Sequence, residues 1–266
     1  MATNKRGLPP LLPDCLPLAL PAFGRIWQMM PIFGPLWSPD GELIGLELLS
    51  RLNDRKSQIL ASPDMFFTHA PPDERFRALV WQVELLVLMS PWLNTRQIPV
   101  SLNITRPLAL RLLSEPDVMA TLAGMSKWVR LEISERFLNV DIPPDQDAVL
   151  CALQNIAPLW LDDFGAGTTT LSCLMSEVFE AVKVDRHLLE CLYPLPEGAR
   201  FLQSMATLAR QSDTLVIVEG VEDDHRWQFV RECGIHAGQG WRWAEVPFAG
   251  LNELPWRLPP LTGSAV

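Results

Sequence analysis

Short apolar runs that end in a polar residue recur along the chain, and amphipathic stretches separate them. The runs cover residues 43–47, 100–103, 129–132, 159–163, 181–183 and 215–219, with a weaker candidate around Gln239. Strands of a parallel sheet appear as continuous apolar runs of this length because helices cover the sheet. We therefore predict a series of buried parallel strands that alternate with helices.

The stretches between these runs have helical periodicity. In residues 74–89 the apolar side chains recur at three- and four-residue spacing, and residues 107–113, 196–209 and 223–233 also fit helices. About one βα unit separates Asn103 from Glu132 and Glu132 from Asp162. The pattern predicts an α/β fold, a single-domain (β/α)8 TIM-like barrel in which we expect one antiparallel strand.

The two ends of the chain differ from this repeating part. Prolines at 9, 10, 13, 17 and 21 interrupt every apolar helix near the start, so residues 1–24 are predicted to be an irregular leader. Residues 25–258 are assigned to the barrel and residues 259–266 to a flexible tail. No uninterrupted apolar run approaches the roughly 18 residues of a membrane span, so we expect a cytoplasmic protein without a membrane partner.

Composition narrows the function classes. The 266 residues suit one barrel, and 48% hydrophobic residues supply a large core. A net charge of −9 argues against binding of a nucleic-acid polymer through neutralised phosphates. The five cysteines form no Cys-x-x-Cys pair, so we expect free thiols rather than a zinc cluster or a disulfide framework.

The polar residues that end the strands are the candidate site. Active sites of α/β barrels lie at the carboxyl ends of the strands, so these residues should converge. Helix capping after a strand explains single Asp or Asn residues, but Glu, Lys and Gln are poor caps. The candidate set of oxygen ligands is Glu47, Asn103, Glu132, Asp162 and Asp163. Such ligands favour Mg²⁺ or Mn²⁺, and a pair of metal ions is the natural complement of four carboxylates.

Three further features add to this chemistry. The adjacent Asp162 and Asp163 can both face the site where the strand gives way to a loop, and Gly165 and Gly167 allow that turn. Lys183 adds a positive charge near the metals or the attacking water. Glu219 is a candidate for orienting that water or taking its proton. On chemistry alone, a metal-dependent hydrolase and a lyase acting on a phosphate or enolate both remain open.

The motifs together resemble the EAL family of cyclic di-GMP phosphodiesterases. In chain order they are Glu47-Leu48-Leu49 with Arg51, Ser101-Leu102-Asn103, Glu132-Ile133-Ser134-Glu135, Asp162-Asp163-Phe164-Gly165-Ala166-Gly167, Lys183-Val184-Asp185, Glu219-Gly220-Val221-Glu222 and Gln239-Gly240-Trp241. Their order and spacing match the family over roughly residues 30–247. The stretch 165–222 is particularly similar to stand-alone enterobacterial members that control motility and fimbriae.

The resemblance implies a role for each matching residue. Glu47, Asn103, Glu132, Asp162, Asp163 and Glu219 would bind the two ions, and Glu47, Asp163, Lys183 and Glu219 would carry the catalysis. Lys183 would hold and activate the nucleophilic water. Arg51 would contact a substrate phosphate, and Gln239 would anchor a water or a metal ligand, with Trp241 near a guanine. Glu222 would hold the loop that follows Asp163. Glu135 is left open between a supporting carboxylate and a solvated helix start.

The implied reaction cuts one phosphodiester of cyclic di-GMP to give linear pGpG. The resemblance also implies support of activity by Mg²⁺ or Mn²⁺, inhibition by Ca²⁺ and a homodimer. The chain departs from the family at Gly34, where a Gln is usual, at Ala166, where Thr is common, and at Pro247, which falls one residue late. A catalytically silent EAL module that binds cyclic di-GMP or a protein partner is the alternative.

Overall fold

The computed structural model describes residues 10–57, 59–167 and 171–259. The strands are β1 (Leu18–Ala22), β2 (Arg25–Trp37), β3 (Leu43–Asp54), β4 (Leu60–Ala61), β5 (Val100–Asn103), β6 (Val129–Ser134), β7 (Leu159–Phe164), β8 (Phe179–Val184), β9 (Leu215–Val218), β10 (Ala237–Gly238) and β11 (Val246–Pro247). The helices are α1 (Pro63–His69), α2 (Pro72–Arg96), α3 (Arg106–Leu112), α4 (Pro116–Gly124), α5 (Ala148–Gln154), α6 (Leu171–Leu174), α7 (Arg186–Leu192), α8 (Gly198–Gln211) and α9 (Asp224–Glu232), with 3-10 helices at Glu135–Phe137, Pro144–Gln146 and Phe248–Glu253.

Within the described residues, eight strands form a closed mixed barrel with helices around it. Strands β3 and β5 to β10 run parallel to one another in the order β3-β5-β6-β7-β8-β9-β10. Strand β2 closes the ring because it pairs antiparallel with both β3 and β10. The predicted TIM-like barrel is therefore confirmed, and β2 is its antiparallel strand.

Side chains alternate between the inside and the outside of the barrel, as strand geometry requires. One interior layer is apolar and contains Leu36, Trp160, Ala181, Ile217 and Ala237. Two residues further along four of those strands stand Asp162, Lys183, Glu219 and Gln239. The period of two therefore places these polar side chains on the inner side, one layer closer to the carboxyl ends of the strands.

The outer faces of the strands pack against the helices in one large hydrophobic cluster. Helix α2 contributes to it through Leu79, Val83 and Leu86, which belong to the predicted apolar stripe, and through Met89. By length and composition α2 could cross a membrane, but half of that apolar window is buried in the protein, as in a core helix. Asp223 caps α9, within the predicted helical stretch 223–233, by accepting from the Arg226 amide at 2.8 Å.

A small antiparallel extension adjoins the barrel and alters the predicted boundary. Strand β1 pairs with β2, and β4 pairs with β3. The prediction of an irregular leader as far as residue 24 is wrong for residues 18–22. Leu20 and Ala22 are buried there, while Pro21 is tolerated because β1 is an edge strand. Residues 1–9 of the leader and all but the first residue of the predicted tail lie outside the described residues.

Candidate metal and substrate site

The polar layer at the carboxyl ends of the barrel strands brings together residues that are far apart in the chain. Glu47, Glu132 and Lys183 are buried, with Glu132 and Lys183 fully enclosed. In the strand pairing, Asn103 lies directly beside Glu132, and Glu47 lies beside Ser101. The predicted convergence of Glu47, Asn103, Glu132, Asp162, Asp163, Lys183 and Glu219 is thus present in the structure.

The Lys183 ammonium lies at the centre of this layer. Its Nζ is 2.6 Å from Glu219 Oε1, 3.0 Å from Glu47 Oε2 and 3.5 Å from Asp162 Oδ1. It also donates to Glu132 Oε1. One positive charge therefore faces four carboxylates. Because these carboxylates are buried and repel one another, the binding of further cations would stabilise them.

The pKa values of these groups follow from burial and repulsion. Burial raises the pKa of Glu132 well above its usual range, and Glu47 and Asp162 raise it further against the attraction of Lys183. Burial likewise raises the pKa of Glu219 to about 8. The pKa of Glu47 is lowered instead, because Lys183 and hydrogen bonds from Gln239 and Asn103 outweigh the effect of its burial.

The two adjacent aspartates both reach the site because the strand is irregular at this point. The register of β7 against β8 shifts between Leu161 and Phe164, and Asp163 has a φ of 59° in the left-handed region. This irregularity interrupts the alternation that would send Asp162 and Asp163 to opposite faces. Burial, with the nearby Asp162 and Asp185 charges, raises the pKa of Asp163 to about 6. The predicted turn of both carboxylates toward the site is confirmed.

The carboxylates divide into two groups that share Glu219. One group is Glu47, Glu132 and Glu219, the other is Asp162, Asp163 and Glu219, and within each group one ligand oxygen from every residue lies within 4.8 Å of the others. Among the described residues, buried Glu132 Oε2 has no hydrogen-bond partner, and neither has Asp162 Oδ1, which the Lys183 ammonium approaches only to 3.5 Å. An all-oxygen donor set with unsatisfied buried oxygens fits two hard divalent cations.

Two amides complete the inner site. Asn103 Nδ2 donates to Glu47 Oε1 at 2.9 Å, and Gln239 Nε2 donates to Glu47 Oε2 at 2.7 Å. A Cβ added to Gly34 would lie 2.5 Å from Gln239 Nε2. The Gln239 side chain thus occupies space beside Gly34 that a larger residue would need. Position 34, where the family that the motifs resemble usually has a Gln, therefore has a Gly that leaves room for the side chain of Gln239.

A cleft of roughly 200 Å³ opens beside this layer, and Gly34, Leu49, Glu219 and Gln239 are among the residues that line it. Trp241 stands at its edge, 75% exposed, with the Arg186 guanidinium carbon 4.6 Å from the ring centroid. Such an exposed indole offers a flat stacking surface for a base. Gln239, predicted to anchor a water or a metal ligand, and Trp241, predicted to lie near a guanine, both line this cleft.

Arg51 lies further out on β3 and forms an ion pair that the sequence did not suggest. Glu47, Leu49 and Arg51 occupy alternate positions and so share one side of the strand. The Arg51 guanidinium donates to the carboxylate of Glu245, which lines the cleft. Glu245 precedes the short strand β11 and has no neighbouring motif. Nothing in the sequence pattern near it predicts this contact.

Glu135 holds the described part of the loop after Asp163, as far as residue 167, and the predicted hold of Glu222 on this loop stays a prediction. The Gly165 amide donates to Glu135 Oε1 at 2.8 Å, and a Cβ on Gly167 would lie 2.6 Å from Glu135 Oε2. Glu222 pairs with Arg186 at 3.5 Å and Arg226 at 3.4 Å. This contact favours the interpretation of Glu135 as a supporting carboxylate, and Glu135 also begins the 3-10 helix Glu135–Phe137. Its place three residues after Glu132, in the same motif, was the available signal.

Residues 27–245 match the family model described as "EAL domain". The chain belongs to the EAL domain family. The matched range includes every residue of the inner site and of the Arg51–Glu245 pair. The resemblance inferred from the ordered motifs is therefore confirmed, together with the TIM-like barrel that it implies.

Some relatives of this EAL chain are named as cyclic di-GMP phosphodiesterases, and others are named as anti-FlhC(2)FlhD(4) factors. It is 29% identical to the cyclic di-GMP phosphodiesterase PdeH of Escherichia coli strain K12, with 78% of this chain and 79% of that protein covered. It is 27% identical to the cyclic di-GMP phosphodiesterase RocR of Pseudomonas aeruginosa, over 77% of this chain and 53% of that protein. It is also 19% identical to the anti-FlhC(2)FlhD(4) factor YdiV of Salmonella paratyphi B, over 84% of this chain and 93% of that protein.

Solved structures of EAL proteins have the same fold. The crystal structure of the EAL-like domain protein YdiV aligns with a TM-score of 0.77 at 19% identity, covering 85% of this chain and 96% of that chain. The manganese/cy-diGMP complex of BlrP1 from Klebsiella pneumoniae aligns with a TM-score of 0.65 at 21% identity, covering 83% of this chain and 56% of that chain. At these identities the likeness establishes the fold alone.

Proposed function

We propose that this EAL protein hydrolyses cyclic di-GMP to linear pGpG with the help of two divalent ions. The observation that carries the proposal is the pair of carboxylate groups that share Glu219 around the buried Lys183. The relatives named as cyclic di-GMP phosphodiesterases support the choice of substrate. In the reaction a water oxygen bonds to the phosphorus of one phosphodiester and loses a proton, while the bond from that phosphorus to the ribose 3′ oxygen breaks and this oxygen leaves as a hydroxyl. The cleaved diester becomes the terminal 5′-phosphate of pGpG, and the second phosphodiester stays intact.

The protein's own residues would hold and orient the reacting groups. Lys183 donates hydrogen bonds within the carboxylate layer and is placed to hold the attacking water. Glu219, 2.6 Å from that ammonium, is placed to orient the water and accept its proton. Asp163, which joins Glu219 in one carboxylate group, completes this arrangement with Glu47. Arg51 would contact a phosphate oxygen, and Trp241 would pack on a guanine.

The ions would be held by Glu47, Asn103, Glu132, Asp162, Asp163 and Glu219. When bound, Mg²⁺ or Mn²⁺ neutralises charge on the phosphate and lowers the pKa of bound water. We expect Ca²⁺ to inhibit, because its coordination is longer and looser than that of Mg²⁺. The solved complex of BlrP1 with manganese and cyclic di-GMP supports the choice of divalent ions.

The remaining features of the proposal concern the cell. The proposal includes a homodimer in the cytoplasm that lowers the level of the second messenger and through it affects motility and biofilm formation, as the resemblance to stand-alone EAL proteins implies. A nucleic-acid polymer is not expected as a partner because the net charge is −9.

The test is incubation of the protein with cyclic di-GMP and Mn²⁺, with pGpG measured by chromatography. We expect product from the natural protein and its loss in Glu47→Gln, because this carboxylate belongs to the first group of ligands. Glu180→Gln is the matched control, since Glu180 lies near the opposite end of β8 and bonds Arg130 and Trp160 instead. Absence of pGpG from a folded natural protein that holds Mn²⁺ contradicts the proposal.

A second candidate is a silent EAL module that binds the nucleotide or a protein without cleaving it. The likeness to a relative named as an anti-FlhC(2)FlhD(4) factor favours it. Binding of cyclic di-GMP without formation of pGpG, measured in the same samples, would support this candidate over the first.

A further inference from the structure

The Arg51–Glu245 ion pair occupies the outer end of the cleft. Arg51 lies two alternate positions beyond Glu47 on the same side of β3, so it is one step further from the carboxylate layer than Leu49. Leu49 and Glu245 both line the cleft. An anionic ligand that reaches Glu219 along the cleft therefore passes close to this pair.

The Arg51–Glu245 pair affects ligand binding because the arginines of the cleft already have carboxylate partners. Arg186 also lines the cleft, but Glu190 pairs with it at 2.8 Å and Glu222 at 3.5 Å. Arg51 is likewise engaged, by Glu245. Among the residues that the structure describes, each arginine at or beside the cleft is thus already paired with a carboxylate. A phosphodiester that takes the Arg51 donor now bonded to Glu245 has to replace this carboxylate.

The pair is also open to exchange. The side chains of Arg51 and Glu245 are 43% and 30% exposed, so water and solutes reach both groups. Ion pairs at such exposure are weak, because water and salt screen them and because two flexible side chains have to be ordered. Phosphate oxygens accept from a guanidinium in the same forked geometry as a carboxylate. A bound diester is therefore a chemically matched substitute for Glu245.

We propose that Glu245 is a positioning residue that occupies Arg51 until a phosphodiester oxygen of the substrate takes its place. Glu245 then weakens substrate binding while holding the guanidinium at the mouth of the cleft. This inference rests on the proposed function. It makes Glu245 a determinant of the affinity for anionic substrate, in contrast to the carboxylates of the inner layer.

The experiment measures binding and turnover of cyclic di-GMP in Glu245→Gln. Calorimetry in Ca²⁺ gives Kd, and steady-state assays in Mn²⁺ separate KM from kcat. We expect Kd and KM to fall about two- to five-fold, the range that corresponds to an exposed ion pair. The control is Glu115→Gln, which removes an exposed partner of Arg111 on a distant helix end and should change neither constant.

A double variant separates the proposed contact from a general effect of charge. In an Arg51→Gln background, Glu245→Gln should no longer tighten binding, because the guanidinium that it releases is absent. Equal tightening in both backgrounds would mean long-range repulsion and would overturn the inference. Unchanged or weaker binding by Glu245→Gln alone also overturns it, while leaving the proposed function intact. A natural protein that neither binds nor cleaves cyclic di-GMP refutes both.

Discussion

Replacing Lys183 with methionine is the sharpest test of the buried charge arrangement. The ammonium is fully enclosed and contacts Glu47, Glu132, Asp162 and Glu219. Attraction to these carboxylates outweighs burial and raises the pKa of Lys183 well above its usual range, so the group is charged in the folded protein. Methionine retains much of the length of the side chain but removes the only ammonium that the described residues bring to this layer.

The expected loss follows from this environment. Removing one partner of a buried ion pair lowers the free energy of unfolding by about 3–5 kcal/mol, because the remaining charges stay buried without a counterion. For a domain of this size, about 2–4 °C in Tm corresponds to each kcal/mol. In the presence of a chelator we therefore expect Lys183→Met to melt about 6–20 °C below the natural protein.

Divalent ions should reduce that difference. A cation bound by the carboxylates supplies the charge that Lys183 supplied, and ligand binding to the folded state stabilises it by mass action. The assay is thermal and urea unfolding with chelator or with saturating Mn²⁺. Lys56→Met is the matched control because Lys56 is exposed on the turn after β3. A chelator difference below about 1 kcal/mol, or one of equal size in Mn²⁺, would refute the reasoning.

Two further predictions concern the same layer and its loop. The metal-free protein should lose stability as the pH rises from about 4.5 to 8. Folding raises the pKa of Glu219 to about 8 and that of Asp163 to about 6. The folded state therefore binds more protons than the unfolded state in this window. Melting curves across this range should show the slope in chelator and its loss in Mn²⁺; a constant or rising Tm in chelator contradicts the prediction. Glu135→Ala should lower kcat about 10- to 100-fold with little effect on stability, because Glu135 holds the Gly165 amide in the loop after Asp163. A loss of this size is typical when a group that supports metal ligands is removed. The comparison is Glu222→Ala, and a larger loss of kcat there than in Glu135→Ala would show that the loop depends on Glu222.

The fold was predictable because its local signals agree with its tertiary structure. The runs at 100–103 and 129–132 are strands β5 and β6, and the stripe in 74–89 lies within α2. Strand β1 was missed because Pro17 and Pro21 are unfavourable in a paired strand. The structure places β1 at an edge, where a missing amide hydrogen is tolerated. Whether a strand lies at the edge of a sheet depends on how the whole sheet assembles, so the local pattern of apolar and polar residues does not show it.

The inner site was predictable for a related reason. Most of its residues end an apolar run, and parallel strands with right-handed crossovers bring their carboxyl ends to one rim. Glu47 differs, because β3 continues past it to Asp54. Glu47 and Lys183 are distant in the chain, yet this rule alone places them together. The turn of Asp163 was also foreseeable, because the two glycines that follow allow the backbone to leave the strand.

Only the tertiary structure decided the contacts that Glu135 and Glu245 make. The sequence by itself determined the barrel, the layer of oxygen ligands and the family, because each depends on periodicity and order along the chain. It did not determine that Glu135 holds the described part of the loop after Asp163, or that Glu245 pairs with Arg51. Glu135 and Glu245 follow no repeating spacing, and their contacts depend on where two separate parts of the backbone bring side chains together in space.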